Sequence, residues 1–291
     1  VQKKEVEMSK NASVDKPVIA WWSGGVTSAV ACKMALDMFG IENVRLIFID
    51  TFNEDQDTYR FKSDCERWYG KDIESISSNR YKCITDVWEQ NKSLNVAHGA
   101  VCSDRLKTVV RKEFLKSHKY YNNIFGYDID EPKRAKSMAL NYPEIKPVFP
   151  LLFAGLTKKD CIRLLNQEGL TIPRAYEYGL NNNNCLNTGC VQGGIGYWQL
   201  MRKLFPEKFE KMAAMEHKLT DVKGEPVTML KDQSKGGGLV FLLPHPKYPH
   251  IKDISMMKGR PPKPLTECNG FCGINDLAKK NPTYKELNYH Q

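Results

Sequence analysis

The stretch Ser23-Gly24-Gly25-Val26-Thr27-Ser28 breaks an apolar run and is followed at once by residues of helical character. Adjacent glycines let backbone amides approach an anion without interference from Cβ, and a helix starting there adds its positive end. Ser23, Thr27 and Ser28 contribute hydroxyl donors, so the segment suits a phosphate or pyrophosphate. It has neither the GxxxxGK[ST] nor the GxGxxG spacing, which excludes a Walker loop and a dinucleotide fingerprint. A second chemical signal is carried by two cysteine pairs, Cys185 with Cys190 and Cys268 with Cys272, each beside glycine and asparagine. Their C-x₄-C and C-x₃-C gaps suit a tetrahedral thiolate site on turns, which accepts either Zn²⁺ or a [4Fe–4S] cluster. Redox-active dithiols and plain structural thiols are the alternatives. Cys32, Cys65, Cys83 and Cys161 read as core thiols.

The elements that must position these residues alternate between strand and helix. Pro17 to Trp22 is strand-like, and Thr27 to Phe39 reads as a helix stopped by Gly40. Val44 to Asp50 is a continuous apolar strand ending in a carboxylate, followed by a helix from Asp55 to Tyr69 that stops at Gly70. Asp72 to Ser77 forms a third strand, and Thr85 to Lys92 and Ser103 to His118 are helical. Asn122 to Asp130 forms a fourth strand with acidic residues at its end. A crossing marked by Pro143, Pro147 and Pro150 leads to a helix that Thr157 and Asp160 cap. This alternation predicts an α/β fold, a Rossmann-like doubly wound parallel sheet covered on both faces. Past Gly169 the character changes to asparagine clusters, glycine clusters and a Pro-rich basic segment, with helix over Trp198 to Lys218 interrupted at Pro206. The expected organisation is a flexible arm over 1–16, a nucleotide domain over 17–169, and a smaller loop-rich C-terminal unit over 170–291.

Bulk properties agree with a folded chain of ordinary composition, 291 residues long with 41% hydrophobic residues. No apolar stretch approaches the roughly 20 residues of a membrane span, and the polar start lacks a secretory core, so a cytoplasmic protein is expected. Nine cysteines do not form an even disulfide framework. The net charge of +9 suits a phosphate-rich partner, a nucleotide or a nucleic acid, and Lys247, Lys252, Lys258, Arg260 and Lys263 concentrate it in the second part.

Ser23–Ser28 resembles the phosphate-binding loop of the PP-loop ATP pyrophosphatases, of the adenine nucleotide alpha-hydrolase-like (HUP) superfamily. Within them it is most similar to the phosphoadenosine phosphosulfate reductase-like branch. The resemblance continues through Phe48 to Phe61, Cys102 to Phe114, Gly126 to Ala135 and the "PVFPLLFAGLTKKDCIRLL" segment, in the right order over roughly residues 17 to 190. Three departures stand out. Thr27 replaces the usual aspartate of the loop. Tyr127 and Asp128 follow Gly126 where an arginine is common, although Arg134 is retained. The C-terminal "ECNGFCGIN" has Glu267, Cys268 and Cys272 but lacks the histidine of the reductases' Glu-Cys-Gly-x-His tail.

The resemblance implies an ATP, or a sulfonucleotide, with its phosphates on Ser23, Gly24, Gly25, Thr27 and Ser28. Adenine and ribose then lie towards Asp50, Thr51 and Phe52, with Gly126 closing the site. Lys107 and Arg134 are the expected catalytic cations, neutralising charge as pyrophosphate leaves. Asp128, Asp130 and Glu131 are candidates for Mg²⁺. Arg111, four residues after Lys107, is expected to face solvent, and Cys102 is a candidate extra thiol near the nucleotide. Sulfur-inserting PP-loop enzymes often carry cysteine-bound clusters, which favours that group at Cys185, Cys190, Cys268 and Cys272. The implied activity is cleavage of ATP to AMP and pyrophosphate, adenylating a substrate for sulfur transfer or base modification, with tRNA or DNA as acceptor. The alternatives are a sulfonucleotide reductase or sulfonucleotide-binding relative, and a non-catalytic nucleic-acid-binding protein with a structural four-cysteine site. A homo-oligomer is compatible with each of these readings.

Overall fold

The computed structural model describes residues 12–265, apart from 97, 98, 184, 235 and 264. Cys268 and Cys272 lie outside the described residues, as does residue 1–11 of the expected arm. Of that arm, Ala12 is buried against the core, and Ser13 and Lys16 exchange backbone hydrogen bonds.

The central sheet has five parallel strands in the order β3-β2-β1-β6-β7: β1 Val18–Trp22, β2 Val44–Ile49, β3 Ile73–Ile76, β6 Asn123–Ile124 and β7 Pro147–Val148. Between β3 and β6 the chain forms a small antiparallel hairpin, β4 Asn95–Val96 with β5 Gly99–Ala100. Strand order reverses between β1 and β6, and a ligand crevice opens at such a switch point, beyond the carboxyl ends of the strands. The expected α/β doubly wound sheet is therefore present. Successive β1 side chains point to opposite faces. Val18, Ala20 and Trp22 join the core beneath α1 (Val26–Phe39), while Ile19 and Trp21 join the core on the other face. Helix α1 buries residues around most of its circumference, as an apolar helix lying over a sheet must.

Among the described residues the remaining α-helices of five or more residues are α2 Gln56–Tyr69, α3 Ile84–Asn91, α4 Val109–Ser117, α5 Pro132–Asn141, α6 Pro150–Ala154, α7 Lys158–Gln167, α8 Ile195–Leu204 and α9 Pro206–Lys223. Asp55 caps α2 through the Asp57 amide, and Gly70 ends it in the left-handed conformation. Thr157 and Asp160 form the reciprocal capping box of α7 that the sequence predicts.

Three expectations are corrected. The fourth strand is not the whole of 122–130: only Asn123–Ile124 pair, and the chain then turns away into the site. The Pro-marked crossing itself supplies a fifth strand, Pro147–Val148. The 103–118 helix is not uniform, since Asp104–Thr108 form one wider π-type turn ahead of α4.

Beyond residue 169, α8 and α9 pack against a three-stranded sheet, β8 Leu230–Lys231, β9 Leu239–Phe241 and β10 Lys252–Asp253. Their core includes Trp198, Phe209, Met212 and Val240, and it also takes in Tyr81, Trp88, Cys102 and Leu106. Residues on both sides of position 169 thus share one apolar interior. Among the described residues no helix is long and apolar enough to cross a membrane.

Candidate functional site

The loop after β1 is held from inside by Ser28. Its Oγ accepts the Ser23 N–H at 3.0 Å and pairs with the Ser23 hydroxyl at 3.0 Å, while donating to the Gly25 carbonyl at 2.9 Å. Gly24 has φ +85°, a conformation that L side chains rarely adopt. Gly25 is extended and starts α1 without a side-chain cap, so the first amides of the helix face outward. One of them, the Val26 N–H, donates to the Tyr176 hydroxyl at 3.3 Å. Thr27, in the position of the usual aspartate, is fully buried, as is Ser28. The reason is Gly126: a Cβ there would lie 2.7 Å from the Ser28 Cα and N, so backbone packs directly on backbone.

A second loop follows β2. The Glu54 carboxylate accepts from the Thr51 N–H (3.2 Å), the Thr51 hydroxyl (2.8 Å) and the Asn53 N–H (3.0 Å). Burial raises the Glu54 pKa above the usual carboxylate range, and the nearby Lys107 ammonium opposes that shift. Asp50 accepts from the Phe52 N–H at 2.8 Å and the Tyr59 hydroxyl at 2.9 Å. The result holds Phe52 at φ +55°, with the residue 56% exposed and outside the lining of the crevice that takes in Ser23, Ser28 and Lys107. For a bulky residue this is a strained conformation.

Ser23, Ser28, Gly126 and Lys107 meet in one crevice with Trp21, Trp22, Phe48, Phe125 and Arg111. Arg111 is buried here, not solvent-facing: its guanidinium lies 4.8 Å from the Trp21 ring centre and 5.4 Å from that of Phe125. The crevice is tight, about 20 Å³, which is room for a single water. As it stands it does not hold a whole nucleotide.

Beside it lies a broad groove of about 1040 Å³ lined by Asp128, Arg134, Lys159, Tyr176 and Asn182, among others. Tyr176 belongs to this groove and also touches the first turn of α1, so the groove abuts the glycine loop. Arg134 therefore faces the groove and not the Lys107 crevice; it pairs with Glu131 and stacks 4.7 Å over the Tyr127 ring. The acidic turn does not fit a three-carboxylate Mg²⁺ site. Asp128 accepts from the Asp130 N–H at 2.9 Å, and Glu131 is engaged by Arg134. Among the described residues no group of three or more His, Cys, Asp or Glu is arranged to hold a metal ion.

Cys185 and Cys190 are both buried. The Cys190 N–H donates to the Tyr197 hydroxyl at 3.0 Å, and burial followed by the Cys190 and Cys185 sulfurs raises the Tyr197 pKa. Both thiols share one apolar core with this phenol. Cys102 belongs to the same apolar core. Of the basic residues, Lys247 pairs with Asp221 and Lys252 with Asp232. Arg260 and Lys263 join Lys231 around a basin of about 420 Å³ at the start of α8.

A family model described as "Phosphoadenosine phosphosulfate reductase domain" matches residues 17–193, more than half of the chain. The chain belongs to the phosphoadenosine phosphosulfate reductase family. The family match contains the glycine loop, the β2 loop, Lys107, Gly126, Arg134, Cys185 and Cys190. Among solved structures, the chain is similar to phosphoadenylyl-sulfate (PAPS) reductase from Candida auris, in a phosphate complex. That similarity is 16% identity over 64% of this chain and 96% of that one, with a TM-score of 0.44. No curated protein matches the sequence.

Sequence reasoning missed Asn183, Tyr176 and Glu54. Glu54 had a local signal, a carboxylate three residues after Thr51 in a strand-ending loop. Tyr176 had none and Asn183 only its place in an asparagine cluster ahead of Cys185, because each meets the glycine loop across more than a hundred residues of chain.

Proposed function

We propose that this protein is a nucleotide-dependent enzyme that binds ATP and cleaves it to AMP and pyrophosphate to activate a substrate. The observation that carries the reading is the uncapped Gly25 start of α1 at the switch point, whose flanking Ser23 and Ser28 share one crevice with Lys107. Backbone amides and the helix end there suit the anionic tail of a nucleotide. An acceptor oxygen attacks the α-phosphorus, and the bond to the bridging oxygen breaks. Pyrophosphate leaves with both electrons, and a nucleophile such as sulfur later displaces AMP. Lys107 stabilises the charge that develops on the departing group. The broad groove, which reaches the loop at Tyr176, is the natural seat for the acceptor. The basin with Lys231, Arg260 and Lys263 supports a nucleic-acid acceptor, tRNA or DNA, through phosphate contacts.

Two buried free thiols in one core supply half of a thiolate site, and Cys185, Cys190, Cys268 and Cys272 would hold Zn²⁺ or a [4Fe–4S] cluster. The Asn182 amide donates to the Leu265 carbonyl, tying the segment ahead of Cys185 to the last described residue ahead of Cys268. A bound cluster supplies electron or sulfur chemistry; zinc supplies a structural clamp.

The family match favours a second reading, a sulfonucleotide reductase. Turnover with ATP, adenosine phosphosulfate and phosphoadenosine phosphosulfate separates the two. Pyrophosphate released from ATP and lost in Lys107→Ala supports activation. Sulfite released in the presence of a dithiol supports reduction. Nucleic-acid binding with no nucleotide binding at all overturns both.

A further inference from the structure

The two loops that follow β1 and β2 are hydrogen-bonded to Asn183 and to residues 187–188, which flank Cys185. The buried Asn183 amide donates from Nδ2 to the Gly24 carbonyl at 2.9 Å and to the Thr58 hydroxyl at 2.9 Å. From the β2 loop, Asn53 Nδ2 donates to the Thr188 hydroxyl at 2.8 Å, and the Asn53 carbonyl accepts the Asn187 N–H at 3.2 Å. A third tie runs through Lys208, which donates to the Leu186 carbonyl at 2.9 Å and stands 4.0 Å from Asp55, the cap of α2. The glycine loop, the β2 loop and the cap of α2 are therefore all tied to the same few residues.

We propose that Asn183 and residues 186–188, which flank Cys185, act as a coupling element, through which nucleotide entry is felt at Cys185 and Cys190, with Asn183 as its positioning residue. This inference rests on the nucleotide reading above. The crevice as it stands does not hold a nucleotide and its wall includes Ser23 and Ser28, so entry bears on the glycine loop and on the Asn183 bonds to it. Buried hydrogen bonds to a glycine carbonyl and a hydroxyl do not stretch freely, so these residues follow the loops. Cys185 lies between them, and Cys190 follows directly, its amide held by Tyr197. Thermodynamic linkage makes the effect reciprocal: whatever orders the cysteine turn tightens nucleotide binding by the same factor.

Hydrogen exchange of the full chain, with ATP and with inorganic pyrophosphate as separate probes, tests it. In the wild type, ATP should slow exchange at the Ala29 amide of the loop helix and, by roughly fivefold or more, at the Asn187 amide. In Asn183→Ala the Ala29 response should persist while the Asn187 response is lost. A merely structural residue would lower both together. If ATP or pyrophosphate protects Ala29 but leaves Asn187 unchanged in the wild type, the coupling is wrong and the nucleotide reading stands. If neither probe protects Ala29, the nucleotide reading fails, and the ligand-free arm decides the coupling. Without ligand, Asn183→Ala should speed exchange at both amides, and acceleration on one side alone overturns the proposal. Thr188→Val removes a single tie to Asn53, and serves the same comparison if Asn183→Ala does not fold.

Discussion

Two helices of this protein begin with the same device. Helix α1 starts at Gly25 and α8 at Gly194, each glycine extended, each preceded by another glycine, and neither supplying a side-chain cap. Their surroundings differ. The α1 start stands at the carboxyl end of a parallel strand, roofed by Gly126 and sharing a crevice with Lys107. The start of α8 instead opens on the basin with Lys231, Arg260 and Lys263, away from any parallel strand end, and its Gly196 packs against the carbonyl oxygens of Arg260 and Pro261. A glycine pair at a helix start is thus only half of an anion site. The fold supplies the other half by deciding which charges and dipoles face it.

The comparison can be broken hardest at Gly126. Gly126→Val drives a side chain into the Ser28 backbone, and overpacking of this kind costs about 1–3 kcal/mol. Nucleotide affinity should be lost along with it. Isothermal titration with ATP and thermal unfolding check both, and a variant that still binds ATP at wild-type affinity removes the roofing role. Next comes Lys107→Ala, expected to slow pyrophosphate release by roughly 10²–10³-fold while the melting temperature stays near wild type.

The third test sharpens the contrast from the C-terminal side. Burial pushes the Glu216 carboxyl up to about 8, although it accepts from the Leu242 and Met229 amides. The unfolded chain has a value of about 4.3, so the folded state holds this proton more tightly. Its stabilisation is fully present below about pH 4.3 and is lost as pH rises towards 8. Glu216→Gln, which cannot ionise, should start less stable at low pH and show a flatter melting temperature across that window. Parallel curves for the two proteins would remove Glu216 as the cause. The smallest effect is expected at Gly194→Ala, where no neighbour lies within 4 Å of the added Cβ and φ is an ordinary −78°. Stability should rise by about 0.4–1 kcal/mol through a less flexible unfolded chain. ATP affinity should not change, and a loss of affinity would mean that the two helix starts act alike.

Much of the N-terminal half was legible residue by residue. The apolar runs of β1 and β2, the stops at Gly40 and Gly70, and the Thr157–Asp160 box all rest on neighbours within a few positions. So does the glycine loop. Arg111 was misread because a surface charge is the usual fate of an arginine on a helix. Here the wide turn at Asp104–Thr108 feeds α4 so that Lys107 and Arg111 both enter the crevice. Strand β7 is only two residues long, Pro147–Val148, too short for any alternation to register.

The residues alone determined the parallel sheet, the phosphate-type loop and the unusual pairing of cysteines, because backbone preference and local hydrogen bonding act over short stretches of chain. Tertiary structure alone decided that Tyr176 meets the α1 amide, that Arg134 faces the groove, and that Asn183 joins the loop to Cys185. Those contacts depend on how separately formed pieces pack, and side-chain amides and phenols leave no periodic trace of the partner they will find.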